Sequence, residues 1–104
     1  MSDSHPELVA FFKALSDSTR LKIVGLLAQK PYSVEELAAL VDLKPSTVSH
    51  HLARLTEVGL VHARTHSYYN VYQLNKEALE EKARNLFTRD DLNASIAEDR
   101  KSVV

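Results

Sequence analysis

Apolar residues recur at helical spacing in the first 30 positions of the chain, and this pattern predicts two helices. Pro6 suits the first position of the first helix, because the N–H that proline lacks has no helical partner there. The residues of this helix that we expect to face inward are Leu8, Phe11, Phe12 and Leu15. The second helix should end before Lys30-Pro31, because a residue that precedes proline avoids the helical region. Its expected inward residues are Leu21, Val24, Leu27 and Ala28.

Two further helices follow, with a tight break at residues 42–44 between them. Ser33 and Glu36 have the spacing of a capping box, which predicts a helix over 34–41. Its expected inward residues are Leu37, Leu40 and Val41. Pro45 suits the first position of the next helix. The inward stripe of that helix is expected to be Val48, Leu52, Leu55 and Val58.

The hydrophobic pattern changes from helical spacing to alternation after Gly59. Gly59 is expected to end the preceding helix in the left-handed conformation, with Leu60 packing back on the last turn. Residues 61–65 and 69–74 then read as two strands, which His66-Ser67-Tyr68 joins into a β-hairpin. Asn75 can cap a fifth helix, whose apolar face carries Leu79, Ala83, Leu86 and Phe87. The predicted fold is mainly α-helical with one small hairpin.

Composition narrows the class of protein. The chain has 104 residues, of which 44% are apolar and 26% charged, as in an ordinary globular domain. No apolar run approaches the ~20 residues of a membrane span, and the first residues lack the basic and apolar regions of a secretory signal. The absence of cysteine excludes disulfides, thiolate metal sites and cysteine catalysis, and it fits a reducing cytoplasm. The two glycines cannot build a phosphate-binding loop.

Charge is distributed unevenly, although the formal net charge is only −1. Residues 44–75 hold three Lys or Arg and one acid, Glu57, together with four of the five histidines. Residues 1–43 hold four basic and six acidic residues, and residues 76–104 hold six and seven. The middle segment alone is therefore suited to docking against a polyanion.

The order of two helices joined by a tight turn and followed at once by a hairpin is that of a winged helix-turn-helix. The outward face of the fourth helix carries Ser46, Thr47, Ser49, His50 and Arg54. Short polar groups at the start of a helix, with a long cation one turn further on, can reach base edges in the major groove of DNA. A solvated surface or a protein-docking module are the alternatives that the same pattern allows.

Two segments resemble the ArsR/SmtB family of bacterial regulators. They are residues 12–24, FKALSDSTRLKIV, and residues 46–55, STVSHHLARL, the latter with the Gly59-Leu60-Val61 exit. The likeness extends over residues 7–87. It implies a homodimeric winged-helix repressor that binds a near-palindromic operator on double-stranded DNA, dimerises through its first and last helices, and loses DNA affinity when it senses an inducer.

The resemblance assigns functional residues by position. The DNA-binding residues it implies are Lys44, Ser46, Thr47, Ser49, His50 and Arg54 at the fourth helix, and Arg64, His66, Ser67 and Tyr68 in the wing. The wing lacks the glycine-containing basic turn that is usual in the family. His51 points about 100° away from His50, so we interpret it as a packed or hydrogen-bonded residue. The dimer-interface residues it implies are Leu8, Val9, Phe11, Phe12, Leu79, Ala83, Leu86 and Phe87. Val9 and Phe11 are also expected to form an exposed apolar pair.

The signal that such a regulator would sense cannot be assigned from these residues. Residues 76–104 contain no histidine, and His62 and His66 are roughly 13 Å apart along their strand, so we expect no metal site and no cofactor. An unconventional metal site, an effector pocket at the dimer interface and a further module that begins in the tail are the options left open. Ser49 and His50 diverge on their helix, so we expect no catalysis. We divide the chain into a DNA-binding and dimerisation domain over 1–87 and a tail over 88–104.

Overall fold

A computed structural model describes residues 6–88, which form five helices and a two-stranded antiparallel sheet in the predicted order. The helices are α1 (Pro6–Ala14), α2 (Ser18–Leu27), α3 (Val34–Val41), α4 (Pro45–Glu57) and α5 (Lys76–Thr88). The strands are β1 (Val61–His66) and β2 (Tyr69–Leu74), with Val61 opposite Leu74 and His66 opposite Tyr69. The winged helix-turn-helix arrangement is confirmed. The predicted tail, apart from Thr88, lies outside the described residues.

The ends of the helices follow local signals in the sequence. The Oγ of Ser33 accepts a hydrogen bond from the backbone N–H of Glu36 at 3.1 Å, and the Glu36 carboxylate accepts one from the Ser33 N–H at 2.8 Å, so the capping box is confirmed. Gly59 has a φ of +79°, the left-handed conformation in which glycine is least strained. The Oδ1 of Asn75 accepts from the N–H of Ala78 at 3.1 Å, which confirms the cap of α5.

The core lies between the helix-turn-helix pair and the base of the hairpin. Val48, Leu52 and Leu55 of α4 are all fully buried, as predicted. Leu60 is also fully buried, and its N–H donates to the carbonyl of Leu55 at 3.0 Å, so it packs back on α4 as expected. The other core side chains that are almost or fully inaccessible to solvent are Phe11, Ile23, Leu27, Leu37 and Val61.

The inward face predicted for α2 is wrong in part. Ile23, which was not predicted, is fully buried, whereas Leu21 is 53% exposed and Ala28 lies exposed at the C-cap. Leu27 is buried and Val24 half-buried, as expected. The reason is that apolar residues occur almost all round α2, so the spacing of four of them does not identify the face that meets the core.

The same explanation applies to α3. Leu40 was predicted to face inward but is 54% exposed, and Ala38 takes the buried position beside Leu37. Six of the eight residues of α3 are apolar, in the run VEELAALV, so small changes in the orientation of the helix exchange which of them is covered.

An isolated β-bridge to the hairpin was not predicted. Tyr32, in the connection between α2 and α3, exchanges two backbone hydrogen bonds with Tyr72 of β2, at 3.3 and 2.8 Å. A bridge of one residue pair produces no alternation in the sequence. It attaches the hairpin to the segment that precedes the helix-turn-helix. Within residues 6–88, no helix is long and apolar enough to cross a membrane.

Candidate nucleic-acid interface

The fully buried stripe on α4 determines which of its residues face outward. Because Val48, Leu52 and Leu55 hold one side of α4 against the core, Ser46 and His50 lie on the opposite side of the helix. Ser46, Ser49, His50 and Arg54 are exposed, and Thr47 is half-buried. The structure therefore leaves the outward face of α4 open, with hydroxyl, imidazole and guanidinium groups along it.

The start of α4 is also open to a ligand. Lys44 occupies the N-cap, and its side chain makes no capping hydrogen bond. Pro45 has no N–H, so the N–H groups of Ser46 and Thr47 are the first in the helix that can donate. Free N–H groups at a helix N-terminus carry partial positive charge and suit phosphate oxygens. The exposed side chain of Lys44 adds a full charge at the same end.

Arg54 is the long cation of this face. Its side chain is 57% exposed, and one guanidinium nitrogen lies 3.7 Å from a carboxylate oxygen of Glu57. An exposed ion pair at this distance is weak, so it leaves the guanidinium available to another anion. Glu57 is the single acid of residues 44–75, and it lies at the last turn of α4, beside Arg54.

Two cations that sequence reasoning did not select lie beside this face. A groove of about 510 Å³ is bordered by Lys13 of α1, Arg20 of α2, and His50 and Arg54 of α4, together with one acid, Glu57. The folded chain thus brings positive side chains from three helices together. Because Lys13 and Arg20 are more than 30 residues away from Arg54 in the sequence, the charge split along the chain does not reveal this cluster.

His51 does not share the outward direction of its neighbour. It is half-buried, and its Nδ1 lies 3.4 Å from a guanidinium nitrogen of Arg20. The rings of His50 and His51 are 6.2 Å apart and steeply inclined to one another. The prediction that His51 is a packed or hydrogen-bonded residue is confirmed.

The hairpin projects a polar and aromatic tip. Ser67 has a φ of +61° at the first position of the two-residue turn, where the primed hairpin turns require a positive value. Tyr68 is completely exposed, and Arg64, His66 and Ser67 are exposed as well. The ring of His66 lies 5.8 Å from that of Tyr69 across the strands.

Contacts between the two strands hold Arg64, the charged side chain of the wing, against β2. The side-chain oxygen of Gln73 lies 3.1 Å from the Nε2 of His62 and accepts a long hydrogen bond, 3.5 Å, from the guanidinium of Arg64. Thr65 donates to Asn70 at 3.2 Å. Gln73 and Asn70 were not predicted as site residues. The register of the hairpin would have identified them, since Gln73 faces His62 and Asn70 faces Thr65.

The residues expected at a dimer interface fall into two groups. Val9 is 63% exposed, whereas Phe11 is completely buried and Leu8 is buried. The prediction that Val9 and Phe11 form an exposed pair is therefore wrong for Phe11, which packs into the core of its own chain and has no surface left for a partner. Phe12, Leu79, Ala83 and Leu86 are half-buried, and Phe87 lies beyond the described side chains.

Among residues 6–88, no group of three or more histidine, aspartate or glutamate side chains is close enough to hold one metal ion.

Comparison with known proteins agrees with this geometry. The family model described as bacterial regulatory protein, arsR family, matches residues 17–63, from the start of α2 into β1. The arsenical resistance operon repressor of Staphylococcus xylosus is 35% identical over 92 residues, which cover 88% of this chain and 86% of that protein. The transcriptional activator HlyU of Vibrio cholerae is 33% identical over 75 residues, which cover 72% and 69%. The cadmium resistance regulatory protein CadC of Listeria innocua is 42% identical over 57 residues, but these cover only 48% of its length.

Solved structures show the same fold. An ArsR-like transcriptional regulator from Rhodococcus has a TM-score of 0.82 at 25% identity, and the match covers 98% of this chain and 93% of that one. A homodimeric winged helix-turn-helix DNA-binding domain from Mycobacterium bovis has a TM-score of 0.69 at 26% identity, covering 100% and 94%. With its exposed polar face on α4, its hairpin wing and these relatives, the chain belongs to the ArsR family of bacterial regulatory proteins.

Proposed function

We propose that this protein is a homodimeric transcriptional repressor that binds a near-palindromic operator on double-stranded DNA. The observation that carries the proposal is the outward face of α4, where Ser46, Ser49, His50 and Arg54 are exposed while the opposite side is completely buried. A helix of this kind fits the major groove of DNA, which is about 12 Å wide.

Individual contacts follow from position. Lys44 and the first N–H groups of α4 are suited to phosphate oxygens, which fix the register of the protein on the duplex. The outward residues of α4 are suited to contact base edges, and they are Ser46, Thr47, Ser49, His50 and Arg54. The wing residues are suited to contact the flanking minor groove, and they are Arg64, His66, Ser67 and Tyr68. The scarcity of acids from residue 44 to 75 supports this assignment, because a carboxylate close to the phosphates would be repelled.

A dimer accounts for the apolar surface of α1 and α5. Val9 is largely exposed, and the apolar residues of α5 that the structure describes are only half-buried. A second copy that packs on Val9, Phe12, Leu79, Ala83 and Leu86 would cover them. Two-fold symmetry would then place the two α4 helices about one turn of DNA, ~34 Å, apart. The related domain from M. bovis is a homodimer, which supports this arrangement.

The signal that releases the repressor is proposed to be something other than a thiolate-bound metal. Two of the relatives are named for arsenical and cadmium resistance. Thiolates are the protein ligands that soft metal ions prefer, and this chain has no cysteine. We further propose that the protein acts in the cytoplasm, where bacterial DNA is located, and that it has no catalytic activity of its own.

Selection of bound fragments from random double-stranded DNA tests the proposal. The expected result is a half-site that recurs with two-fold symmetry at a spacing of about one helical turn. The logarithm of the affinity for the selected site should fall linearly with the logarithm of salt concentration, with a slope of about −0.9 for each phosphate contacted.

A docking module for another protein would select no sequence and show a flat salt response, and either result would refute the DNA-binding proposal. Arg54→Ala should reduce selection at one base position, whereas Lys22→Ala removes one exposed positive charge from α2 and serves as the matched control.

A further inference from the structure

Arg20 joins three helices through a single side chain. It lies in the first turn of α2, and its backbone N–H donates to the carboxylate of Asp17, the N-cap residue, at 3.0 Å. Its Nε donates to the backbone carbonyl of Ala14, and its Nη1 lies 3.4 Å from the Nδ1 of His51. The side chain is half-buried, so solvent competes only partly for these hydrogen bonds.

The contact with Ala14 completes the end of α1. Ala14 is the last residue of α1, and carbonyls in the last turn of a helix have no partner within it. A guanidinium there satisfies an acceptor and places a positive charge at the negative end of the helix dipole. Ser16 adds to this end, because its hydroxyl donates to the carbonyl of Lys13 at 2.7 Å.

The contact with His51 orients α4. Arginine has donors only, so the Nδ1 of His51 must be the acceptor in this hydrogen bond. His51 stands between His50, which faces outward, and Leu52, which is completely buried. A hydrogen bond to this ring therefore restrains rotation of α4 about its own axis, and with it the direction of the outward face.

Only arginine can make both contacts in this geometry. Its rigid planar fork presents several N–H groups, whereas the ammonium of lysine is a single point at the end of a flexible stem. Lysine at position 20 would keep the shorter of the two contacts, the one with the Ala14 carbonyl, and would lose the one with the ring on α4.

We infer that Arg20, acting through His51, is a positioning residue that sets the orientation of α4 relative to α1 and thereby the operator affinity. The effect on operator affinity rests on the proposed function. The effect on the orientation of α4 does not, and it can be tested without DNA.

The first experiment compares backbone amide chemical shifts of Arg20→Lys and of the reciprocal change on the same helix, Lys22→Arg. Lys22 is exposed, and this control exchanges the same two side chains. Arg20→Lys should move the amide signals of residues 47–55 and the imidazole ¹⁵N signals of His51, while Lys22→Arg leaves them in place. Equal effects of the two variants on α4 would overturn the inference, whether or not the protein binds DNA.

The second experiment measures affinity for the selected operator at a temperature at which circular dichroism shows each variant to be folded. Arg20→Lys and His51→Ala should each weaken binding by about tenfold, the scale of one hydrogen bond to a charged group. The double variant should bind no more weakly than the weaker single variant, because both changes remove the same interaction. His51→Asn should recover most of the affinity, since its side-chain oxygen can accept in place of Nδ1.

The outcomes separate the two proposals. Losses that multiply in the double variant, or failure of His51→Asn to recover affinity, would overturn the role of the pair. Moved α4 signals with unchanged operator affinity would overturn it too. A wild-type protein that selects no DNA refutes the proposed function, and the chemical shifts then decide whether Arg20 positions α4.

Discussion

Helices α2 and α4 pack against the same core but differ in how clearly their sequences show it. In α4, three aliphatic residues at i, i+4 and i+7 are surrounded by polar ones, and all three are fully buried. In α2, five of the ten residues are large and aliphatic, and they point in most directions. The predicted face of α4 is confirmed, and that of α2 is wrong for Leu21.

The difference follows from the surroundings of each helix. One side of α4 must stay free for a ligand, so its sequence separates polar from apolar residues sharply. α2 contacts α3, α4 and β2, and after its first three residues only Lys22 and Gly25, which face solvent, are not large and aliphatic. In this chain, the amphipathic pattern therefore identifies the buried face clearly in α4, the helix that carries the function, and poorly in α2, the helix that supports it.

Alanine substitutions test this comparison with the largest expected effect. Leu52→Ala in α4 and Ile23→Ala in α2 should each lower the free energy of unfolding by about 2–5 kcal/mol, because each leaves a cavity in a fully buried position. Leu21→Ala, the matched control on α2, should cost less than about 1 kcal/mol, because Leu21 is 53% exposed. Chemical denaturation measures all three. If Leu21→Ala destabilised the protein as much as Ile23→Ala, the orientation of α2 would be incorrect.

Where the chain carries a strong local signal, the sequence was sufficient to predict the structure. Ser33 and Glu36 predicted a capping box, Pro45 and Gly59 the ends of α4, and Asn75 the cap of α5. Each of these depends on a few neighbouring residues with one preferred geometry. The α4 face of the candidate site is readable for the same reason.

The remaining features depend on contacts between distant parts of the chain. The sequence allowed two predictions for Phe11, an inward position beside Leu8 and an exposed pair with Val9, and only the packing of α1 on the core shows that Phe11 is buried and Val9 is not. The contact of Arg20 with His51 spans 31 residues. Tyr32 meets Tyr72 across 40 positions, and no pattern within either segment indicates the other.

Arg54→Ala tests the functional side of α4. If the guanidinium reads a base edge, operator affinity should fall by roughly 1–3 kcal/mol and specificity should relax at one position of the site. The measurement is fluorescence anisotropy against the selected operator and its single-base variants. A loss that is equal on every sequence would make Arg54 a phosphate contact. Lys22→Ala, on the supporting helix, should leave affinity unchanged.

Substitution of the two glycines by alanine should change the stability of the protein in opposite directions. Gly25 is exposed within α2, and a methyl group there meets no atom within 4 Å. Gly25→Ala should therefore stabilise the protein by about 0.5–1 kcal/mol. Gly59→Ala also meets no atom within 4 Å, but the φ of +79° at the end of α4 is strained for alanine and should cost about 1–2 kcal/mol. Thermal unfolding of both variants checks the signs. Stabilisation by Gly59→Ala would mean that α4 does not end in the left-handed conformation.

Asp17→Asn, at the start of α2, has the smallest expected effect. The hydrogen bond from the Arg20 N–H is the largest influence on the pKa of Asp17 and lowers it below its ordinary value of 3.8. Desolvation opposes this shift, and the positive charge of Arg20 lowers the pKa further. A lowered pKa in the folded state means that the ionised carboxylate contributes stability above pH 3.8, and that this contribution is lost as the pH falls through the lowered value.

Asparagine is also a good N-cap, so Asp17→Asn should unfold at nearly the wild-type temperature at pH 7. Below about pH 4, the melting temperature of the wild type should fall more steeply than that of the variant, because only the wild type has this carboxylate to protonate. Parallel melting curves from pH 2 to 7 would show that the Asp17 carboxylate is no better stabilised in the folded chain than in the unfolded one, and would contradict the prediction.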